Sequence, residues 1–223
     1  MKDHGGGYDP FLSLKKQTTD NARAHVEEVC KRVRDAEDTL REGVIAAIAG
    51  NVVDYGAKNL FDLGETLDKA EERGLRIDDY DKLREDVSGG KILYYLLDNS
   101  GEIILDMILM EEILRTNPGI EIKAVVKKEP ILNDVTVEDA VYAGMEKLEG
   151  VEIIDLPNAG WVERDYIKEL VEDNIVISKG QGNSEALSDL TGVYFLFVVK
   201  CDPVAEVLDV DVGDMILKYN NDQ

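Results

Sequence analysis

Apolar and polar positions along the chain change rhythm at Lys91. Before it, apolar residues recur at helical spacing. Residues 35–49 place Leu40, Val44, Ala47 and Ile48 on one face, and residues 59–72 repeat the pattern up to Gly74, so both predict helices. Residues 11–33 are rich in helix formers, with Thr19 or Asp20 as a cap. Residues 75–90 are charged and read as a linker with a short helix. The expected division is a helical part over 1–88 and an α/β part over 89–223, joined as one compact unit. After Lys91, apolar runs alternate with helical ones. Strands are expected over 92–97, 120–126, 151–154, 175–177 and 194–199, with an edge strand within 212–219. Helices are expected over 102–115, 137–148, 161–172 and 184–190. This alternation predicts an α/β fold of right-handed βαβ units around a mainly parallel sheet.

Composition narrows the function. The chain has 223 residues, 44% hydrophobic and 32% charged, enough for a full core. Its net charge of -22 repels nucleic acid and anionic lipid, so neither nucleic acid nor membrane is an expected partner. A phosphorylated substrate would be repelled too, unless local cations receive it. Cys30 and Cys201 are far apart and form no CxxC, which gives no zinc or redox signature and fits a reducing cytoplasm. No apolar run is long enough to span a bilayer, and the Gly-rich start has no hydrophobic signal core, so a cytoplasmic location is expected. His4 and His25 have no partner pattern, and Trp161 reads as a packing residue.

The strongest local signal is KILYYLLDNSGE, residues 91–102. An apolar strand there ends in Asp98 and Asn99, and an apolar helix follows. A strand that delivers a carboxylate and an amide to its carboxyl end builds a ligand site in an open α/β sheet. The same pair also suits a turn or a helix cap. Asp134 repeats the arrangement after residues 120–126. Were the two strands neighbours, Asp98, Asn99 and Asp134 would offer oxygen ligands to Mg²⁺ or Mn²⁺. Asp134 equally suits a cap, and Asp139 competes for the metal. Next, SKGQGN follows residues 175–177: Gly180 and Gly182 allow close approach to a phosphate and Lys179 adds charge, although a plain turn explains it as well. Lys200, after residues 194–199, either meets phosphate or snorkels.

In order, DNSGE, ILNDVT, SKGQGN and FLFVVKCD together resemble the metal-dependent damage-control phosphatases. Asn51 and Asp54 in GNVVDYG, and DPFLSLKKQT near the start, resemble that family as well. The resemblance implies a three-layer α/β/α sandwich with a Rossmann-like sheet and an N-terminal helical subdomain. It implies a divalent metal (Mg, Mn, Co or Ni) on Asp98, Asn99 and Asp134, and a substrate phosphate met by Lys179, Gly180, Gly182, Asn183 and Lys200. Archaeal-type members carry an N-terminal CxxC segment that this sequence lacks.

The expected reaction is hydrolysis of phosphomonoesters of small metabolites such as sugar phosphates, by direct attack of water. Asp98 and Lys179 are expected to be catalytic. Glu102 is expected to orient the water or act as base, with Asn51 and Asp54 shaping the leaving-group end. An aspartyl-phosphate route through Asp98 is disfavoured, because Ser100 stands where dehalogenase-type phosphatases place a second Asp. The rivals are a non-catalytic metabolite- or nucleotide-binding protein and a small-molecule methyltransferase. The substrate, the preferred metal and the choice between monomer and homo-oligomer stay open.

Overall fold

The computed structural model describes residues 8–50, 67–68, 73–155 and 164–221. Among the described residues, seven strands form one sheet. They are β1 (Ile77–Asp78), β2 (Ile92–Leu96), β3 (Glu121–Val126), β4 (Val151–Asp155), β5 (Ile175–Lys179), β6 (Val193–Val198) and β7 (Met215–Asn220). Their order is β1-β7-β6-β5-β2-β3-β4. Neighbours pair in parallel except β6 and β7.

The helices are α1 (Leu12–Ala24), α2 (Val26–Asp35), α3 (Thr39–Ala49), α4 (Tyr80–Gly89), α5 (Ile103–Thr116), α6 (Val137–Ala143), α7 (Arg164–Leu170), α8 (Gln181–Ala186) and α9 (Asp202–Leu208). They cover the sheet on both faces, as the pleat requires, because successive strand residues point to opposite sides. Leu93, Tyr95, Ile122, Ala124, Ile177, Tyr194 and Leu196 share one apolar cluster with α1 to α6. Leu96, Val125, Val176, Phe195 and Phe197 share a second with Ile167 and Leu170 on α7, Leu187 just past α8, and Ala205 on α9. The result is the three-layer α/β/α arrangement. Strands buried on both faces read as the continuous apolar runs seen in the sequence. No helix among the described residues is long and apolar enough to cross a membrane.

From β2 the chain steps outward through β3 and β4, then returns to the other flank of β2 with β5 and β6. Connections leaving the carboxyl ends of β2 and β5 therefore part in opposite directions. A crevice opens there, and in open α/β sheets such a switch point is where ligands bind.

Some boundaries differ from expectation. Residues 77–78 are a strand, not linker, so sheet pairing begins before residue 89, and α4 is a full helix. Thr19 and Asp20 lie inside α1 and cap nothing. Helix α6 stops at Gly144, whose φ of 90° turns the chain, and a short 3₁₀ turn, Met145–Lys147, replaces the rest of the expected 137–148 helix. Helix α8 starts at Gln181, so the SKGQGN stretch is itself a strand end and a helix start. Of the helix expected over 59–72, residues 67 and 68 are described and helical.

Candidate functional site

Strand β2 runs out at the crevice, and the chain after it is zipped to the chain after β3. Leu97 N–H donates to Val125 O at 3.0 Å, Val135 N–H to Asp98 O at 2.9 Å, and Ser100 N–H to Asn133 O at 2.9 Å. Asn99 and Asp134 form an isolated antiparallel bridge. Two segments more than thirty residues apart thus bring Asp98, Asn99 and Asp134 side by side.

Helix α1 braces this zipper from outside. Thr19 Oγ1 donates to Ser100 O at 3.0 Å, and Thr18 Oγ1 lies 3.4 Å from Ser100 Oγ. The Lys15 ammonium is fully buried between Asp9 at 3.0 Å and Asp139 at 2.9 Å. The same Asp139 oxygen accepts from Thr136 N–H at 2.9 Å and from its hydroxyl at 2.7 Å, closing a capping box at the start of α6. Asp139 is therefore occupied as a cap and an ion partner, not poised as a metal ligand.

The other wall comes from the end of β5. Gly180 has a φ of 83°, and a Cβ there would lie 2.0 Å from Asp98 Oδ2. Only glycine both adopts this backbone and admits the carboxylate. Asn183 is buried; its amide donates to Lys179 O at 2.9 Å and to Leu97 O at 3.4 Å, locking β5 to β2. Lys127 is buried beside it, 3.4 Å from Asn183 Oδ1 and 3.7 Å from Asp134 Oδ2. Lys200 is exposed after β6, and its N–H donates to Gln181 Oε1 at 2.7 Å.

Two expected roles change. Lys179 is fully buried, and its ammonium donates to Ala47 O at 2.8 Å, Asp106 Oδ1 at 2.6 Å and Glu102 Oε2 at 3.1 Å. Those contacts use all the donors an ammonium has, so it lies under the site rather than reaching into it. Glu102 is buried as well, with Asn99 Nδ2 donating to its other oxygen at 2.7 Å. It stands behind the amide, not open to the crevice. Asn51 and Asp54 lie outside the described residues, as do His4 and Trp161.

Charge at the crevice is negative and poorly balanced. Burial, then the charges of Glu102 and Asp134, push Asp98 up to about 8 against the pull of Lys179 and Lys200. Burial also raises Asp134, opposed by Lys127 and Lys15. Asp106 is pushed up to about 6, by burial more than Lys179 offsets. Among the described residues no group of three or more His, Cys, Asp or Glu side chains is placed to hold a metal ion. The set at hand is two carboxylates and one amide. Asn99 Nδ2 is spent on Asp98 Oδ2 at 2.9 Å and on Glu102, which turns the amide oxygen away from both. Hard oxygen donors with surplus negative charge fit a divalent cation of the Mg²⁺ or Mn²⁺ kind.

Lys127, Lys15 and Asp106 were not singled out from the sequence. Asp106 carried a signal: it is the lone charge in an apolar run, one turn beyond Glu102 on the same helix face. Lys127 and Lys15 sit in Lys-Lys pairs that read as surface.

Comparison with known proteins gives the family. The damage-control phosphatase ARMT1-like domain matches residues 1–216. A damage-control phosphatase of Archaeoglobus fulgidus is 34% identical over 96% of this chain and 76% of its own. One of Pyrococcus horikoshii is 35% identical over the same shares. An uncharacterized protein of Methanocaldococcus jannaschii is 34% identical over 97% of this chain and 75% of its own. A crystal structure of a DUF89 family protein from P. horikoshii superposes with a TM-score of 0.79 at 33% identity, covering 96% of this chain and 76% of that one. The chain belongs to the damage-control phosphatase ARMT1-like family.

Proposed function

We propose that the protein is a metal-dependent phosphatase that hydrolyses phosphomonoesters of small metabolites such as sugar phosphates. The observation that carries this reading is the junction of Asp98, Asn99 and Asp134 against Gly180 at the switch point. The names of the A. fulgidus and P. horikoshii relatives support the phosphatase chemistry.

Asp98 and Asp134 would hold a divalent cation (Mg²⁺, Mn²⁺, Co²⁺ or Ni²⁺) through carboxylate oxygens, and Asn99 through its amide oxygen. Such a cation supplies Lewis-acid polarisation of a phosphoryl oxygen and charge neutralisation. The chain's own groups do the rest. N–H groups of Gln181, Gly182 and Asn183 lie in the first turn of α8, where helix bonding has not begun, and receive phosphoryl oxygens. Gly182 is exposed and lets the phosphate approach the backbone. Lys200 and Lys127 offset phosphate charge locally within a strongly acidic protein. Water attacks phosphorus, the bond to the leaving oxygen breaks, a proton from the water passes to that oxygen, and the alcohol and inorganic phosphate depart.

A panel of sugar phosphates and a generic aryl phosphate, with each metal supplied in turn, tests the proposal. Phosphate release that ranks the sugar phosphates above the aryl ester supports it. Folded protein that binds the esters without turnover would favour the non-catalytic reading. Family membership leaves the methyltransferase reading without support.

A further inference from the structure

Behind the Asn99 amide lies a line of buried polar groups. Asn99 Nδ2 donates to Glu102 Oε1 at 2.7 Å. Glu102 Oε2 accepts from Lys179 Nζ at 3.1 Å, and the same ammonium donates to Asp106 Oδ1 at 2.6 Å. That Asp106 oxygen also accepts the Tyr95 hydroxyl at 2.7 Å. From Glu102 inward every member is buried: Glu102 is 1% exposed, and Lys179, Asp106 and Tyr95 are 0% exposed. Asp106 Oδ2 is buried with no hydrogen-bond partner among the described residues.

Stability does not account for this line. Buried ion groups rarely repay the loss of hydration, and an apolar replacement of like volume is often neutral or stabilising. An unsatisfied carboxylate oxygen in the core adds to the cost. The arrangement makes sense by what it does to Asn99. An amide has two ends of similar size and opposite polarity, and only the oxygen end can ligate a hard cation. Glu102 Oε1 accepts from the NH₂ end, as Asp98 Oδ2 does at 2.9 Å, and this leaves the oxygen end facing away from both. Lys179 donates to Glu102 and holds its carboxylate in place, and Asp106 pins Lys179.

We propose that Asp106 is a positioning residue that acts through Lys179 and Glu102 to hold the Asn99 amide oxygen toward the crevice, ready for a divalent cation. The inference rests on the metal-binding reading of Asp98, Asn99 and Asp134. Under it, Glu102 and Lys179 are positioning residues too, and neither touches the phosphoryl group.

The test is Mn²⁺ binding by calorimetry on the full chain, with no substrate present. Asp106→Asn is expected to weaken binding about 10- to 100-fold in the otherwise unchanged protein. In an Asn99→Ala background there is no amide to orient, and the same change is expected to cost at most about threefold. An equal loss in both backgrounds would mean a through-space charge effect and would overturn the proposal, as would no loss in the unchanged protein. Should Asp106→Asn fail to fold, Tyr95→Phe removes only the hydroxyl on the same oxygen, with an expected loss of about threefold, again absent without Asn99. Binding abolished by Asp98→Ala yet indifferent to Asp106→Asn refutes the positioning line alone. An unchanged protein that binds no Mn²⁺ refutes the metal site, and the positioning line with it.

Discussion

Gly180 and Asp98 touch across the switch point so closely that a Cβ on Gly180 would lie 2.0 Å from the Asp98 carboxylate. Gly180→Ala therefore adds a clash to a backbone that alanine disfavours at φ 83°. The expected outcome is a stability loss of about 1–3 kcal/mol. Displacement of Asp98 is expected to cut phosphate release about 100-fold or more. At Gly182 a Cβ would meet nothing within 4 Å, so Gly182→Ala is expected to leave the melting temperature unchanged or slightly raised. Thermal unfolding of the pair, with phosphate release for Gly180→Ala, checks this. Equal melting temperatures would contradict it.

The site also sets a pH dependence of stability. Asp98 is raised from 3.8 to about 8 in the folded chain. Between those values the folded protein holds a proton that the unfolded chain has released, so stability falls as pH rises. Asp106, raised to about 6, and Asp134, raised by burial, act in the same direction. Urea unfolding of metal-stripped protein is expected to show stability declining from about pH 4 to about pH 8 from these groups. Asp98→Asn is expected to flatten the upper part of that slope. A slope unchanged by Asp98→Asn would show that the group is not Asp98. On the proposed reading, Mn²⁺ displaces the proton, so its affinity rises with pH up to about 8.

Lys15 ties the brace of α1 to the site from outside. Its ammonium is fully buried between Asp9 and Asp139. Lys15→Met keeps most of the side-chain volume but strands two carboxylates with little access to water. The expected cost is about 3–5 kcal/mol in urea unfolding. A cost under about 1 kcal/mol, the size of a surface pair, would show that the buried geometry contributes nothing special.

Core packing gives an independent check on the layers. Leu109 is fully buried on α5 within the cluster shared by the sheet and α1 to α6. Leu109→Ala is expected to cost about 2–5 kcal/mol, with thermal or urea unfolding as the measurement. A near-neutral change would place α5 outside the core.

Legibility in the sequence followed burial. Strands β2, β3, β5 and β6 are covered on both faces and announced themselves as apolar runs. Strand β1 is two residues, Ile77 and Asp78, inside a charged stretch, and it exists only because β7 offers an edge. No local period can reveal such a pairing. That Asp98, Asn99 and Asp134 come together was legible because polar groups at the ends of apolar strands need partners. The place of Lys179 was not, because its partners Glu102 and Asp106 are 77 and 73 residues away and the glycines beside it suggested an open loop. Lys127 lies at the edge of a charged run, and only the fold shows it buried against Asp134. Long-range charge pairing, unlike hydrophobic periodicity, leaves little trace in the spacing of residues.

The most direct measurement is phosphate release from an aryl phosphate by metal-stripped protein, with and without added Mn²⁺, for the unchanged chain, Asp98→Ala and Asp134→Ala. The expected result is release that needs the metal and vanishes in both variants while circular dichroism shows them folded. Release without any metal, or release that survives either substitution, would contradict the assignment of these carboxylates as the centre of a metal-dependent phosphatase.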